Sequence, residues 1–90
     1  MKQINSNGGN KMRVTFMKVE DINRFVEFVS TLKGKVYLKS GKYSVNAKSM
    51  IGAMYIVNEN PNEIVVDVED EVEAKQVLTF LMQGSHLKEE

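Results

Sequence analysis

Ninety residues with 42% apolar content can close one hydrophobic core and exclude a two-domain arrangement. Twelve basic and twelve acidic side chains cancel, which argues against a strong general affinity for nucleic acid or anionic lipid. The absence of cysteine excludes disulfides, thiolate nucleophiles and thiolate metal sites, and no apolar run reaches the roughly 18 residues needed to cross a bilayer.

The opening MKQINSNGGN is polar, lacks the apolar segment of a secretory signal and is too poor in apolar surface to offset the entropy of ordering. Residues 1–10 are therefore expected to form a flexible tail on a cytoplasmic protein. From Lys11 the chain alternates, with Met12, Val14 and Phe16 on one side and Lys11, Arg13 and Thr15 on the other, which predicts a half-buried strand. Asp21 is then the expected N-cap of a helix whose stripe is Ile22, Phe25, Val26, Val29 and Leu32, with Gly34 as its stop.

Val36 and Leu38 alternate with Tyr37 and Lys39, Ser40-Gly41 supplies a tight turn, and Tyr43 and Val45 return, so a hairpin is expected. AKSMIGAMYIV opens with a capping-type serine and predicts a helix of two or three turns that ends before Pro61. Ile64, Val66 and Val68 predict a further strand. Asp70 followed by Glu73 marks the start of a last helix with Ala74, Val77, Leu78 and Leu81 on its apolar stripe and Gly84 at its end. The order is β-α-β-β-α-β-α, an α+β domain over residues 11–84 with helices on one face of an antiparallel sheet and a short tail at 85–90.

Charge is segregated along the chain. Lys33, Lys35, Lys39, Lys42 and Lys48 fall in a stretch without an acid, and Glu59, Glu63, Asp67, Glu69, Asp70, Glu71 and Glu73 in one without a base. Two solvated faces of opposite sign account for this pattern. Catalytic signals are weak. The single histidine, His86, lies beyond the last helix, where one imidazole can neither close a metal site nor pair with a nucleophile. The acidic DVEDEVEAKQ lacks the central glycine and oxygen-ligand spacing of a calcium loop. Neither an enzyme nor a cofactor site is expected.

The segment SGKYSVNAKSMIGAM, Ser40 to Met54, closely resembles the regulatory region of HPr, the phosphocarrier family of the bacterial sugar phosphotransferase system, in which a lysine-serine pair opens a short helix with a Met/Ile/Gly pattern. Outside that window the resemblance rests on pattern and reaches from about Lys11 to Met82. It implies an HPr-like open-faced sandwich: a four-stranded antiparallel sheet of order 1-4-2-3 covered on one face by three helices. It places Ser49 where HPr kinase phosphorylates a serine, with Lys48 alongside, and it makes Met50, Ile51 and Met54 exposed residues that dock partner proteins, among them HPr kinase and a transcriptional regulator or phosphotransferase component. Each position also has a plain structural reading. Ser49 is a good N-cap, and an apolar stripe at helical spacing is more often core than interface.

The chain departs from the family at the phosphoacceptor. HPr carries a histidine, closely followed by an arginine, in the loop ahead of its first helix, whereas this region reads FMKVEDINRF, with Lys18 or a neighbour at the histidine's place and Glu20 near the arginine's. The negative charge of Glu20 would repel an incoming phosphoryl group. A regulatory protein that has lost phosphotransfer is therefore expected, similar to the catabolite-repression branch of the family. Two other readings stand beside it. Tyr37, Tyr43 and the nearby lysines allow a ferredoxin-like nucleic-acid-binding domain, although the third strand lacks the aromatic spacing of an RNA-recognition motif. A small-molecule sensor of similar topology is the other, with no dedicated ligand residues to support it.

Overall fold

A computed structural model describes residues 10–16 and 18–84 of the chain; residues 1–9, Met17 and 85–90, including His86 and most of both expected tails, lie outside the described residues. The elements run β1 (Lys11–Val14), α1 (Val19–Val29), β2 (Val36–Ser40), β3 (Tyr43–Asn46), α2 (Met50–Glu59), β4 (Ile64–Val68) and α3 (Glu71–Gln83). The sheet order is β1-β4-β2-β3 and every pairing is antiparallel, the order that the resemblance implied.

Register explains how alternation in the sequence becomes two faces. Met12 pairs with Val66, Val66 with Leu38 and Leu38 with Val45, so the apolar set of all four strands points to one side. Lys11, Asp67, Tyr37 and Asn46 form the neighbouring row and point to the other, which faces water. On this open side the Lys39 ammonium lies 2.8 Å from the Asp67 carboxylate and 5.7 Å from the centre of the Tyr37 ring. Tyr43 pairs with Ser40 and lies on the helix side of the sheet. The two hairpin tyrosines are thus on opposite faces and form no common stacking platform. With β4 and β2 at the centre, the architecture is the HPr-like one, and the ferredoxin-like alternative is set aside.

The core lies between the sheet and the helices. Val14, Phe25, Val29, Leu38, Ala53, Val66, Val68, Val77 and Leu81 are completely buried. The four phenylalanines link its parts: Phe16 meets Phe25 at 5.1 Å, Phe25 meets Phe80 at 6.3 Å, and Phe28 stacks on Phe80 at 4.6 Å with the rings 4° apart. These contacts fasten α1 to α3 through large apolar surfaces with favourable ring geometry.

Several element boundaries differ from expectation. Asn10, expected in the tail, is tied to the sheet: its carbonyl accepts from Val68 N at 3.0 Å and its side-chain amide donates to Glu69 O at 3.3 Å. β1 stops at Val14, although Phe16 remains in the core. Helix α1 starts two residues ahead of Asp21, with Lys18 in extended conformation at the N-cap and no side-chain cap. Asp21 lies within the first turn, where its carboxylate favours the helix dipole and meets Arg24 at 3.2 Å.

That helix also ends at Val29, before Leu32 and Gly34. The Thr31 hydroxyl donates to Phe28 O at 2.6 Å and closes the last turn. Gly34 serves a contact across the fold instead of a helix stop: Lys33 N and Gly34 N donate to the two Glu73 carboxylate oxygens at 2.8 and 2.9 Å. The Asp70 carboxylate caps α3 as expected, accepting from Glu73 N at 2.9 Å. Glu73 thus spends its own carboxylate on the α1–β2 loop and not on the N-cap amide of a reciprocal capping box. The hairpin turn is Gly41-Lys42, one residue later than expected, with Gly41 at φ +58°.

Candidate functional site

The site begins where β3 hands over to α2. Asn46 ends β3, and its side-chain oxygen accepts from Lys48 N at 2.9 Å, a local turn that asparagine is suited to make. Ser49 N donates to Asn46 O at 3.0 Å, and Ala53 N donates to Ser49 O at 2.9 Å to start the helical ladder. Ser49 is the N-cap, with φ −98° and ψ 117°, and its hydroxyl oxygen accepts from Gly52 N at 3.2 Å. The capping reading of Ser49 is realised in this geometry, while the residue itself remains exposed. Gly52 lets the first turn settle against β3, since a Cβ there would lie 3.3 Å from the Val45 Cβ and 3.5 Å from the Ser49 hydroxyl.

The flanking residues divide. Lys48 is half-buried, and its ammonium donates to Leu32 O at 2.7 Å, pointing at the end of the α1–β2 loop's first turn instead of lying free beside Ser49. Met50 is half-buried and packs on the core, so it contributes less to the surface than the resemblance implied. Ile51 is 85% exposed and Met54 37% exposed. The inner side of the helix is supplied by Ala53, Ile56 and Val57.

Two residues that the sequence did not assign to the patch extend it. Tyr55 is half exposed and lies one turn beyond Ile51, and its ring meets that of Tyr43 edge-on at 6.5 Å. The signal for Tyr55 was its i+4 spacing from Ile51; Tyr43 could be added only from the strand pairing. On its other flank Met54 lines a cleft of about 260 Å³ with Phe16, Lys18, Val19, Ile22 and Pro61. Val19 is 56% exposed there. Ile51, Met54, Tyr55 and Tyr43 thus form an apolar and aromatic surface on α2 and the adjoining β3 edge, with Val19 across the cleft.

At the start of α1, Lys18 and Glu20 are both exposed, and the Lys18 carbonyl accepts from Asp21 N and Ile22 N at 3.1 and 3.3 Å. Among the described residues no group of three or more His, Cys, Asp or Glu side chains is placed to hold a metal. No helix among them is long and apolar enough to cross a membrane.

A sheet of order 1-4-2-3 under three helices, with a serine-capped second helix reached from the hairpin, defines an HPr-like fold. The crystal structure of HPr-C-His from Thermoanaerobacter tengcongensis superimposes on this chain with a TM-score of 0.64 and 22% sequence identity, over 81% of this chain and 88% of that one. No protein-family model matches the chain, and no curated protein does.

Proposed function

We propose that this chain is a regulatory HPr-like protein of the phosphotransferase system that docks other proteins on α2 and is switched by phosphorylation of Ser49. The observation that carries the reading is Ile51, 85% exposed in the first turn after Ser49 and continuous with Met54, Tyr55 and Tyr43. A large apolar side chain held in water by a folded helix gains nothing in the monomer, and aromatic residues with methionine are the types enriched where proteins meet. Lys48, Met50, Ile51 and Met54 are the partner-binding residues carried over from the family, with Met50 acting mainly as support.

HPr kinase would transfer the terminal phosphoryl group of ATP to Ser49 Oγ, releasing ADP and the hydroxyl proton. The product would place a dianion at the N-terminus of a ten-residue helix, where unpaired amides and the helix dipole favour it. Partners would be the kinase itself and a transcriptional regulator or a phosphotransferase component that reads the modified surface, in the cytoplasm. The protein acts by binding and is not an enzyme. Histidine phosphotransfer is absent from this proposal, because by the family resemblance Lys18 or a neighbour stands at the histidine's place and Glu20 near the arginine's, and neither can take the phosphoryl group's transfer role.

Two incubations test it. With HPr kinase and ATP, intact mass should rise by one phosphate in the parent chain and not in Ser49→Ala; no gain, or a gain that survives the substitution, removes the switch. With phosphoenolpyruvate and enzyme I the chain should stay unlabelled, and label on any residue would overturn the loss of transfer.

A further inference from the structure

We propose that Lys48 is a relay that reports the state of Ser49 to the α1–β2 loop, holding that loop when the serine is free and releasing it when the serine is phosphorylated. This rests on the phosphoserine reading above and extends it to a consequence away from the docking patch.

In the unmodified chain the Lys48 ammonium is committed. It is half-buried, and it donates to Leu32 O at 2.7 Å, a short charge-assisted bond to a neutral carbonyl. Leu32 lies just past the end of α1, in a connection held at three points. Leu32 O is held by Lys48 from the α2 side, Lys33 N and Gly34 N by Glu73 from the α3 side, and Lys35 O by Glu69 N at 2.9 Å from the end of β4. The backbone of Lys48 is fixed independently, because its N–H donates to the Asn46 side chain at 2.9 Å. Only the four-carbon stem and its ammonium are free to choose a second acceptor.

A phosphate on the adjacent Ser49 is that acceptor. A dianion with three oxygens attracts a lysine ammonium more strongly than a single peptide carbonyl does, and the two residues are neighbours in sequence. When the ammonium turns to it, Leu32 O loses its donor and one of the three holds on the loop is gone. Glu73 then restrains the connection with less support, and the opening free energy of that segment falls. Thr31, Leu32, Lys33 and Glu73 also line a groove of about 550 Å³ between α1 and α3, so the signal arrives at a second surface. The coupling would run from Ser49 through Lys48, the one element with two acceptors to choose between, into the hydrogen bonds that hold Leu32, Lys33 and Gly34.

The test uses the full chain with phosphoserine installed at position 49 during synthesis, so that no kinase is required. Amide hydrogen exchange is followed at residues 32–35 in four forms: the parent chain, phosphoserine-49, Lys48→Met, and Lys48→Met with phosphoserine-49. Exchange at the Lys33 and Gly34 amides should rise several-fold in phosphoserine-49 and by a similar factor in Lys48→Met, with no further rise when the two are combined. A Lys48→Arg chain, which keeps the charge and a donor, should respond to phosphoserine as the parent does. Unchanged exchange on phosphorylation, or an equal rise in the parent and Lys48→Met backgrounds, would overturn the relay. The outcome is separable from the docking reading: a kinase that ignores Ser49 defeats that reading without touching the relay chemistry, and an unresponsive loop defeats the relay while leaving Ser49 a substrate.

Discussion

Helices α1 and α2 are of nearly equal length, eleven and ten residues, yet they use their apolar residues differently. In α1 the buried residues are Ile22, Phe25, Val26 and Val29, with Asn23, Arg24 and Glu27 facing water, so the amphipathic pattern matches what the core requires. In α2 the run MIGAMYIV is apolar all round, but only Ala53, Ile56 and Val57 are buried, leaving Ile51, Met54 and Tyr55 exposed. Folding therefore accounts for the apolar content of α1 apart from Val19 at its first position, and leaves a larger surplus on α2. That surplus is the feature a function has to explain, and the proposed docking of a partner protein would bury it.

Substitutions that treat the two helices alike should expose the contrast. The largest effect is expected from Phe25→Ala in α1, since Phe25 is completely buried and meets both Phe16 and Phe80. Its removal should cost about 3–5 kcal/mol in denaturant unfolding, a large share of the stability of so small a domain. A loss below about 1 kcal/mol would mean that α1 is not the structural helix described here.

A middle value is expected at the junction of structure and function. Ser49→Ala removes the acceptor for Gly52 N and should lower stability by about 1 kcal/mol while abolishing any modification at that position. Ser49→Asp retains the capping acceptor and should hold stability near that of the parent chain, measured in the same unfolding experiment.

The smallest effect on stability is expected from Ile51→Ser. At 85% exposure the side chain contributes little to the core, so unfolding should shift by no more than about 0.5 kcal/mol. A destabilisation comparable to that of Phe25→Ala would erase the distinction between the two helices and with it the reason to read α2 as an interface.

The sequence made the strands and the core faces legible because period-two alternation survives wherever one side of a sheet is buried, as in Met12-Val14, Val36-Leu38 and Ile64-Val66-Val68. Helix ends were less legible, since caps can be supplied by residues far away in the chain. Gly34 resembled a C-terminal stop, yet its N–H serves Glu73, a partner 39 residues on that no local pattern announces. Asp21 resembled an N-cap, but the helix begins at Val19 on a bare backbone turn around Lys18.

The candidate site was legible in the same uneven way. Ser49 as a cap follows from local spacing, whereas Ile51 as an exposed residue came from the family resemblance alone, since an apolar stripe at helical spacing by itself points to the core. The contact of Tyr43 with Tyr55 and the bond from Lys48 to Leu32 depend on how the elements pack, and neither spacing nor composition encodes them. The support from Met50 is intermediate: its apolar character was evident, but which way it faced depended on how closely α2 approaches β3 at Gly52 and Val45.

The most direct measurement is the steady-state kinetics of Ser49 phosphorylation by HPr kinase for the parent chain and for Ile51→Ser, with circular dichroism confirming equal folding. If the kinase docks on the exposed face of α2, KM should rise at least several-fold in Ile51→Ser while both chains end with a single phosphate on Ser49. Identical KM values in two folded chains, or phosphate on neither, would contradict the proposed function.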